Sequence, residues 1–277
     1  MSQLCWHGGE HPELLGLTAD CYGAMRRWRQ DLEAGCDVTQ EAAQYTAMVN
    51  TAVRFLGQPP LLPKKGCLEV ICAKLREEIG EADLVFLSCP PELNSLPWRW
   101  LLKAEKRQPS RPMVFVVPSA AWLIGGERSL TEVSPLAIRS GHGQVMEIKG
   151  DFRATARVAT SESAASLDGA ADDFVELRLL CQEHRIVLDN RCFGGQAGRW
   201  RGNEWNGNPA MLLMTQCQLF VAPPCRIPVS TADRLAENLK SAIERGESMD
   251  SMTVIRELED LSQLDPAAWL YNLYGSP

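Results

Sequence analysis

The sequence lacks long apolar runs. No segment approaches the ~18 consecutive apolar residues that a membrane-spanning helix needs. The N-terminal stretch from Met1 to Glu10 is polar and shows no charged-then-apolar pattern of an export signal. With 45% hydrophobic and 23% charged residues, the composition is ordinary for a globular protein. We therefore expect a cytoplasmic protein without a membrane anchor.

Paired cysteine spacing is also missing. The ten cysteines are scattered and form no C-x-x-C, so a zinc site with the four histidines is not indicated. Several lie inside apolar runs, such as Cys72 after Val70-Ile71 and Cys89 after Leu87-Ser88. This distribution predicts reduced, mostly buried thiols. We expect no metal and no cofactor.

A basic surplus is absent as well. The net charge of −7 argues against a dedicated nucleic-acid binder. One local exception is the Gly/Asn-rich loop that contains Arg199-Trp200-Arg201 and Trp205. These side chains could stack on a base, line a substrate site, bind a protein partner or anchor the loop, and the sequence leaves these alternatives open.

Short apolar runs alternate with amphipathic segments after residue 63. Residues 1–63 have helical periodicity, ended by prolines, and are interpreted as a helical N-terminal extension. The predicted strands are 83–87, 113–117, 135–138, 185–188, 219–222 and 268–274, and the predicted helices are 67–79, 96–102, 174–181, 232–245 and 252–261. Residues 150–169 are Ala/Ser/Thr-rich and predict a surface excursion. This alternation predicts one α/β domain over residues 64–277, with a mainly parallel sheet flanked by helices.

His142 and Cys192 each follow a predicted strand. In parallel sheets the working site lies at the carboxyl ends of the strands, so both side chains are expected at the same edge. A cysteine nucleophile works as its thiolate and needs a base, for which histidine is the usual partner. Gly143 follows His142, and its backbone amide is free to point at a developing oxyanion. The two residues are 50 positions apart, close to the ~50 found in caspases.

Each residue of this pair also has an ordinary structural interpretation. Gly-His-Gly is a common turn, and a cysteine after a strand often packs into the core. The remaining histidines lie in the N-terminal tail or before a strand, and Cys217 and Cys225 flank a predicted strand as structural residues. The order, interval and shared edge of His142 and Cys192 favour the catalytic hypothesis.

Five segments in the same order carry a resemblance to a known family. They are Leu96-Pro97-Trp98, Val116-Val117-Pro118-Ser119, Ser140-Gly141-His142-Gly143, Ile186-Val187-Leu188 through Cys192 and Gly194, and Asp265-Pro266-Ala267-Ala268-Trp269 through Tyr274-Gly275. Together they resemble the CHAT domain, a caspase-like cysteine peptidase family of bacteria, over roughly residues 67–277. The compact chain shows no tetratricopeptide repeats, which often accompany that domain.

The resemblance implies an endopeptidase that forms an acyl-enzyme with a protein partner as substrate, in a bacterial regulatory or defence system. Cys192 would attack the carbonyl, His142 would carry the proton, and the amides of Cys192 and Gly143 would bind the oxyanion. Asp189 is expected to line the substrate pocket and favour a basic side chain, although Asp after a strand is also a common turn residue.

Two departures from the family leave a second hypothesis open, and the first is a shorter region between Ser119 and His142. The family has two residues between the strand's leucine and the catalytic cysteine, whereas three separate Leu188 from Cys192. A catalytically inactive CHAT-like adaptor, binding proteins through Trp200 and Trp205, is the alternative. An α/β hydrolase or nucleotide-binding enzyme is disfavoured because neither Gly-x-Ser-x-Gly nor a Gly-rich phosphate loop occurs.

Overall fold

Eight strands form one sheet in the part of the chain that the structure describes. This computed structural model describes residues 38–62, 64–89, 93–103, 112–118, 122–123, 134–139, 144–148, 154–158, 175, 177–195 and 207–277. The strands are β1 (Leu84–Leu87), β2 (Met113–Val116), β3 (Ser134–Arg139), β4 (Gln144–Ile148), β5 (Ala154–Val158), β6 (His184–Asp189), β7 (Leu219–Ala222) and β8 (Asn272–Gly275). Their order across the sheet is β1-β2-β8-β7-β6-β3-β4-β5.

The sheet contains two parallel blocks. β1, β2 and β8 run in one direction, and β7, β6 and β3 form the second block. The antiparallel pair β7–β8 joins the blocks, and β4 and β5 extend the sheet as an antiparallel hairpin beside β3. Four of the seven pairings are parallel, which confirms the predicted α/β fold with a mainly parallel sheet and is consistent with a caspase-like architecture.

Helices flank the sheet. They are α1 (Val38–Leu56), α2 (Cys67–Ile79), α3 (Trp98–Leu102), α4 (Met211–Met214), α5 (Val229–Glu244) and α6 (Ser251–Leu264), and residues 177–183 are also helical. α2 ends at Gly80, whose φ of 55° suits glycine and whose amide bonds to the Arg76 carbonyl. α6 begins after Asp250, whose side chain accepts a hydrogen bond from the Thr253 amide. None of the helices among the described residues is long and apolar enough to cross a membrane.

α1 shares the hydrophobic core of the sheet. Its buried residues Tyr45, Val49 and Val53 belong to the same cluster as the buried side chains of the central strands. All of β7 is buried, so its position requires a continuous apolar run and not an alternation of apolar and polar residues. α1 therefore packs against the α/β domain, while the boundary at residue 63 stays a prediction.

Three local expectations differ from the structure. The hairpin of β4 and β5 occupies part of the region expected as a surface excursion, because backbone pairing such as Gln144 opposite Val158 needs little from side chains. Residues Pro266–Leu270 form a 3-10 turn instead of the start of a strand, since the Asp265 side chain accepts from the Ala267 amide. Of the seven described cysteines, six are free as expected, while Cys67 is disulfide-bonded.

A buried arginine ties α3 to the C-terminal part of the chain. Arg99 is 2% exposed, and its guanidinium lies 2.6 Å from the Glu259 carboxylate. It also donates to the carbonyl oxygens of Ala268 at 3.1 Å and Tyr271 at 3.3 Å. One side chain therefore neutralises a largely buried carboxylate and satisfies two carbonyl groups near the start of β8.

Removing this arginine should destabilise the fold strongly. We expect Arg99→Leu to lower the free energy of unfolding by about 3–5 kcal/mol, because Glu259 loses its buried counter-charge. The control is Lys74→Ala, which breaks an exposed pair with Glu77 and is expected to cost less than about 1 kcal/mol. Urea denaturation followed by circular dichroism measures the free energy of unfolding of both variants. Equal losses in the two variants would contradict the assignment of Arg99 as the buried partner of Glu259.

Candidate active site

β3 and β6 end together at one edge of the sheet. They pair in parallel, and their last paired residues are Arg139 and Asp189. The Asn190 amide continues the ladder by donating to the Arg139 carbonyl at 2.8 Å. In sequence, His142 is three positions after Arg139, and Cys192 is three positions after Asp189. Both loops thus leave adjacent parallel strands at equivalent points.

Only one member of the expected pair is described. Cys192 lies in the turn that follows β6, and it is exposed and free. Its thiol lies 3.6 Å from the Ile227 carbonyl oxygen, which is within reach of a weak S–H hydrogen bond. His142 and Gly143 lie outside the described residues, as do Trp200 and Trp205 of the Gly/Asn-rich loop.

Backbone hydrogen bonds fix the conformation of the Cys192 turn, which we define as residues 190–195. The Gly194 amide donates to the Arg191 carbonyl at 3.0 Å and closes the turn. The amides of Phe193 and Gly195 donate to the carbonyls of Cys225 and Pro223, which follow β7. Phe193 has a φ of 65°, a left-handed conformation that costs a non-glycine residue energy and is therefore held by these bonds.

The two glycines of the turn are required by close packing. A Cβ at Gly194 would lie 3.0 Å from the Asp189 side chain. At Gly195 it would lie 2.7 Å from the Tyr274 hydroxyl and 2.9 Å from the Ala222 carbonyl oxygen. Contacts this short force a neighbour to move, and the backbone of Ala222 in the sheet centre is not free to do so. The Gly-Gly sequence after Phe193 is explained by this lack of space.

Asp189 is paired within the chain. Its carboxylate is 0% exposed, and both oxygens accept from the Arg191 guanidinium at 2.8 Å. The Arg191 amide also donates to the same carboxylate at 3.3 Å. Arg191 therefore neutralises the negative charge of Asp189. This pairing favours a role for Asp189 in shaping the turn. The expectation that Asp189 selects a basic substrate side chain stays a prediction.

Three polar residues around the turn were not anticipated from the sequence. Asn190 is buried and donates from its side chain to the Ala232 carbonyl of α5 at 3.0 Å. The hydroxyls of Tyr271 and Tyr274 donate to the Asn190 side chain and to the Gly195 carbonyl, respectively. A tyrosine in a buried segment is a signal for such a bond, because its hydroxyl needs a partner, but the sequence does not indicate which.

Cys192 is more exposed than the other free thiols in the described ranges. The pKa of the Cys225 thiol is raised chiefly by burial and further by the nearby Cys192. Burial likewise raises the pKa of Cys72 to about 12. Of the six free cysteines in the described ranges, Cys192 is the exposed one, Cys89 is intermediate and the others are buried. Cys192 is thus the described thiol best placed to meet an external carbonyl.

The described residues do not contain a group of three or more His, Cys, Asp or Glu side chains arranged to hold a metal ion.

Comparison with solved structures gives a weak structural likeness. No family model matches the chain. No curated protein matches it either. Among solved structures, the separase–securin complex of Saccharomyces cerevisiae is similar with 15% sequence identity and a TM-score of 0.37. The match covers 69% of this chain and 15% of that chain, so this chain corresponds to a small part of its length.

Alkylation under native conditions should single out Cys192 among the free cysteines of the described ranges. At about pH 8, a thiol with a pKa of about 12 is thiolate in only about one molecule in ten thousand, and Cys72 is also inaccessible. We expect iodoacetamide to modify Cys192 at least about a thousandfold faster than Cys72. Peptide mass mapping over time measures both rates, and Cys192→Ser should remove the early adduct. Similar rates at the two sites would contradict the described burial.

Proposed function

We propose that this chain is a caspase-like cysteine endopeptidase in which Cys192 is the nucleophile and His142 carries the proton. Cys192 attacks the scissile carbonyl and forms an acyl-enzyme, and His142 delivers a proton to the leaving amine. Water then hydrolyses the acyl-enzyme and regenerates the thiol. The reaction needs no cofactor.

The observation that best supports this proposal is the parallel pairing of β3 with β6. With Arg139 opposite Asp189, each proposed catalytic residue is three positions beyond a paired residue. Segments that leave adjacent parallel strands at paired residues begin about 5 Å apart, which is within the reach of a histidine and a cysteine side chain. The exposed thiol of Cys192 adds the accessibility that a substrate needs.

The rigidity of the Cys192 turn supports a role in oxyanion binding. Hydrogen bonds from Phe193, Gly194 and Gly195 fix the backbone on one side of Cys192. A donor that is already oriented stabilises developing charge without reorganising during the reaction. We propose that the amides of Cys192 and Gly143 are the two donors of the oxyanion hole.

The proposed substrate is a protein partner. Trp200 and Trp205 are proposed to contact it, since tryptophans provide large contact areas in protein interfaces. Cytoplasmic action is proposed because a free thiol nucleophile persists in a reducing compartment, and the described thiols other than Cys67 are free. A bacterial regulatory or defence setting rests on the resemblance to CHAT domains alone.

A catalytically inactive adaptor is the second proposal, and one observation favours it. The Cys192 thiol lies within hydrogen-bond reach of the Ile227 carbonyl, a contact that attack on a substrate has to break. The three residues between Leu188 and Cys192, where the CHAT family has two, also make this turn differ from the family pattern. In this case the chain would act by binding a protein partner.

Active-site substitutions should abolish cleavage. We expect Cys192→Ala and His142→Ala each to lower the cleavage rate at least about a thousandfold, because nucleophile and proton carrier act as a unit. The assay incubates each variant with a library of proteome-derived peptides and counts new N-termini by mass spectrometry. Intact-mass analysis of each variant detects self-cleavage in parallel.

The controls are Cys89→Ala, which removes another thiol that is not fully buried, and His11→Ala, which removes a histidine of the N-terminal tail. Both should retain wild-type cleavage. Cleavage that survives in Cys192→Ala and His142→Ala would show that the active site is elsewhere. A wild-type chain that cuts nothing, yet captures a protein partner in a manner lost in Trp200→Ala and Trp205→Ala, would favour the adaptor.

A further inference from the structure

The C-terminal segment contacts both ends of the Cys192 turn. At the start of the turn, the Tyr271 hydroxyl donates to the Asn190 side-chain oxygen at 2.8 Å. At its end, the Tyr274 hydroxyl donates to the Gly195 carbonyl oxygen at 2.7 Å. Tyr271 directly follows the 3-10 turn Pro266–Leu270, and Tyr274 lies in β8. Two hydroxyls therefore bracket the residue that we assign as the nucleophile.

The two hydroxyls are stable hydrogen-bond donors. Both tyrosine side chains are 0% exposed. Burial is the main reason why the pKa of Tyr271 and of Tyr274 is raised, so both hydroxyls keep their protons throughout the physiological pH range. The Tyr274 hydroxyl also accepts from the Asn272 side chain at 3.1 Å, and of the two carbonyl oxygens within reach of its proton, Gly195 at 2.7 Å is nearer than Asn94 at 3.2 Å.

The segment that contains the two tyrosines is held in place by hydrogen bonds of Asn272. The Asn272 side chain accepts from the Trp98 amide at 2.9 Å and donates to the Leu96 carbonyl at 2.8 Å. These residues lie at the start of α3, so the tyrosine-bearing segment is also held to a buried helix. A displacement of the Cys192 turn therefore has to break buried hydrogen bonds.

We propose that Tyr271 and Tyr274 are positioning residues that hold the Cys192 turn in the conformation in which its thiol and amide meet a substrate. The consequence for catalysis rests on the proposed peptidase function, whereas the restraint of the turn does not. Neither tyrosine touches the reacting atoms. Each acts through a residue of the turn, Asn190 on one side of Cys192 and Gly195 on the other.

The role belongs to the hydroxyls and not to the rings. Phe193 holds a left-handed backbone conformation, which relaxes unless neighbouring bonds oppose it. Phenylalanine at position 271 or 274 fills the same volume and removes only one oxygen. The ring packing of Tyr274 against Phe220, with ring centroids 6.0 Å apart, would be kept. A change in the turn after such a substitution therefore reports on the hydrogen bond.

Amide hydrogen exchange of the full chain tests this proposal in Tyr271→Phe and Tyr274→Phe. Peptides that cover 190–195 should exchange about fivefold to tenfold faster than in the wild type, the size expected from the loss of one buried hydrogen bond. Peptides from α5 should be unchanged. The control Thr46→Val removes a half-buried hydroxyl that donates to the Ala42 carbonyl within α1 at 2.9 Å, and it should leave exchange at 190–195 unchanged.

Peptide cleavage by the same variants separates positioning from stability. We expect kcat to fall at least about tenfold in Tyr271→Phe and Tyr274→Phe, with KM within about twofold of the wild type. Unchanged exchange at 190–195 in both variants would overturn the proposal whatever the activity. Faster exchange with unchanged kcat would overturn the catalytic role. If the wild type cleaves nothing but exchange rises as expected, the restraint stands and the proposed peptidase function fails.

Discussion

The parallel pairing of β3 with β6 determines where the chain can carry chemistry. Its register places Arg139 opposite Asp189, and the bond from the Asn190 amide to the Arg139 carbonyl extends it by one step. A slip of one residue would move one loop by about 3.3 Å relative to the other. It would also turn buried side chains such as Leu188 toward the opposite face, so the core enforces the register. The place of the Cys192 turn follows from this constraint.

The C-terminal segment connects this edge to the rest of the molecule. Arg99 binds the carbonyl groups that precede β8, and Asn272 binds the backbone on both sides of Pro97. Tyr271 and Tyr274 of the same segment reach the Cys192 turn. The Leu-Pro-Trp element and the terminal Trp-to-Tyr element are about 170 residues apart in sequence, with Trp98 and Asn272 separated by 174 positions. They form one support for the turn.

The sequence predicted much of the fold because the central strands are buried runs with clear ends. β1, β2, β6 and β7 lie within one or two residues of their predicted bounds, and α2 agrees at both ends with the expected 67–79. The hairpin of β4 and β5 was missed because small and polar residues such as those of Ala154–Val158 give little strand signal. Backbone pairing stabilises such strands, and it leaves no pattern in the sequence.

At the candidate site, the sequence predicted positions better than contacts. It placed Cys192 after a strand at the edge of a parallel sheet, where the structure has it exposed. It did not anticipate that Arg191 pairs with Asp189, although the two residues are only two positions apart. The bonds of Tyr271 and Tyr274 span 81 and 79 positions, and a single sequence has no feature that indicates such distant partners.

We propose that His142 and Cys192 face each other at the edge formed by β3 and β6. A His142→Cys substitution in the full chain tests this directly. Mild oxidation by copper phenanthroline removes two hydrogens when two thiols join, and a disulfide forms only when the Cα atoms are within about 7 Å. We expect an intramolecular disulfide between position 142 and Cys192, detected by peptide mass mapping. A chain in which both thiols stay open to alkylation after oxidation would contradict it.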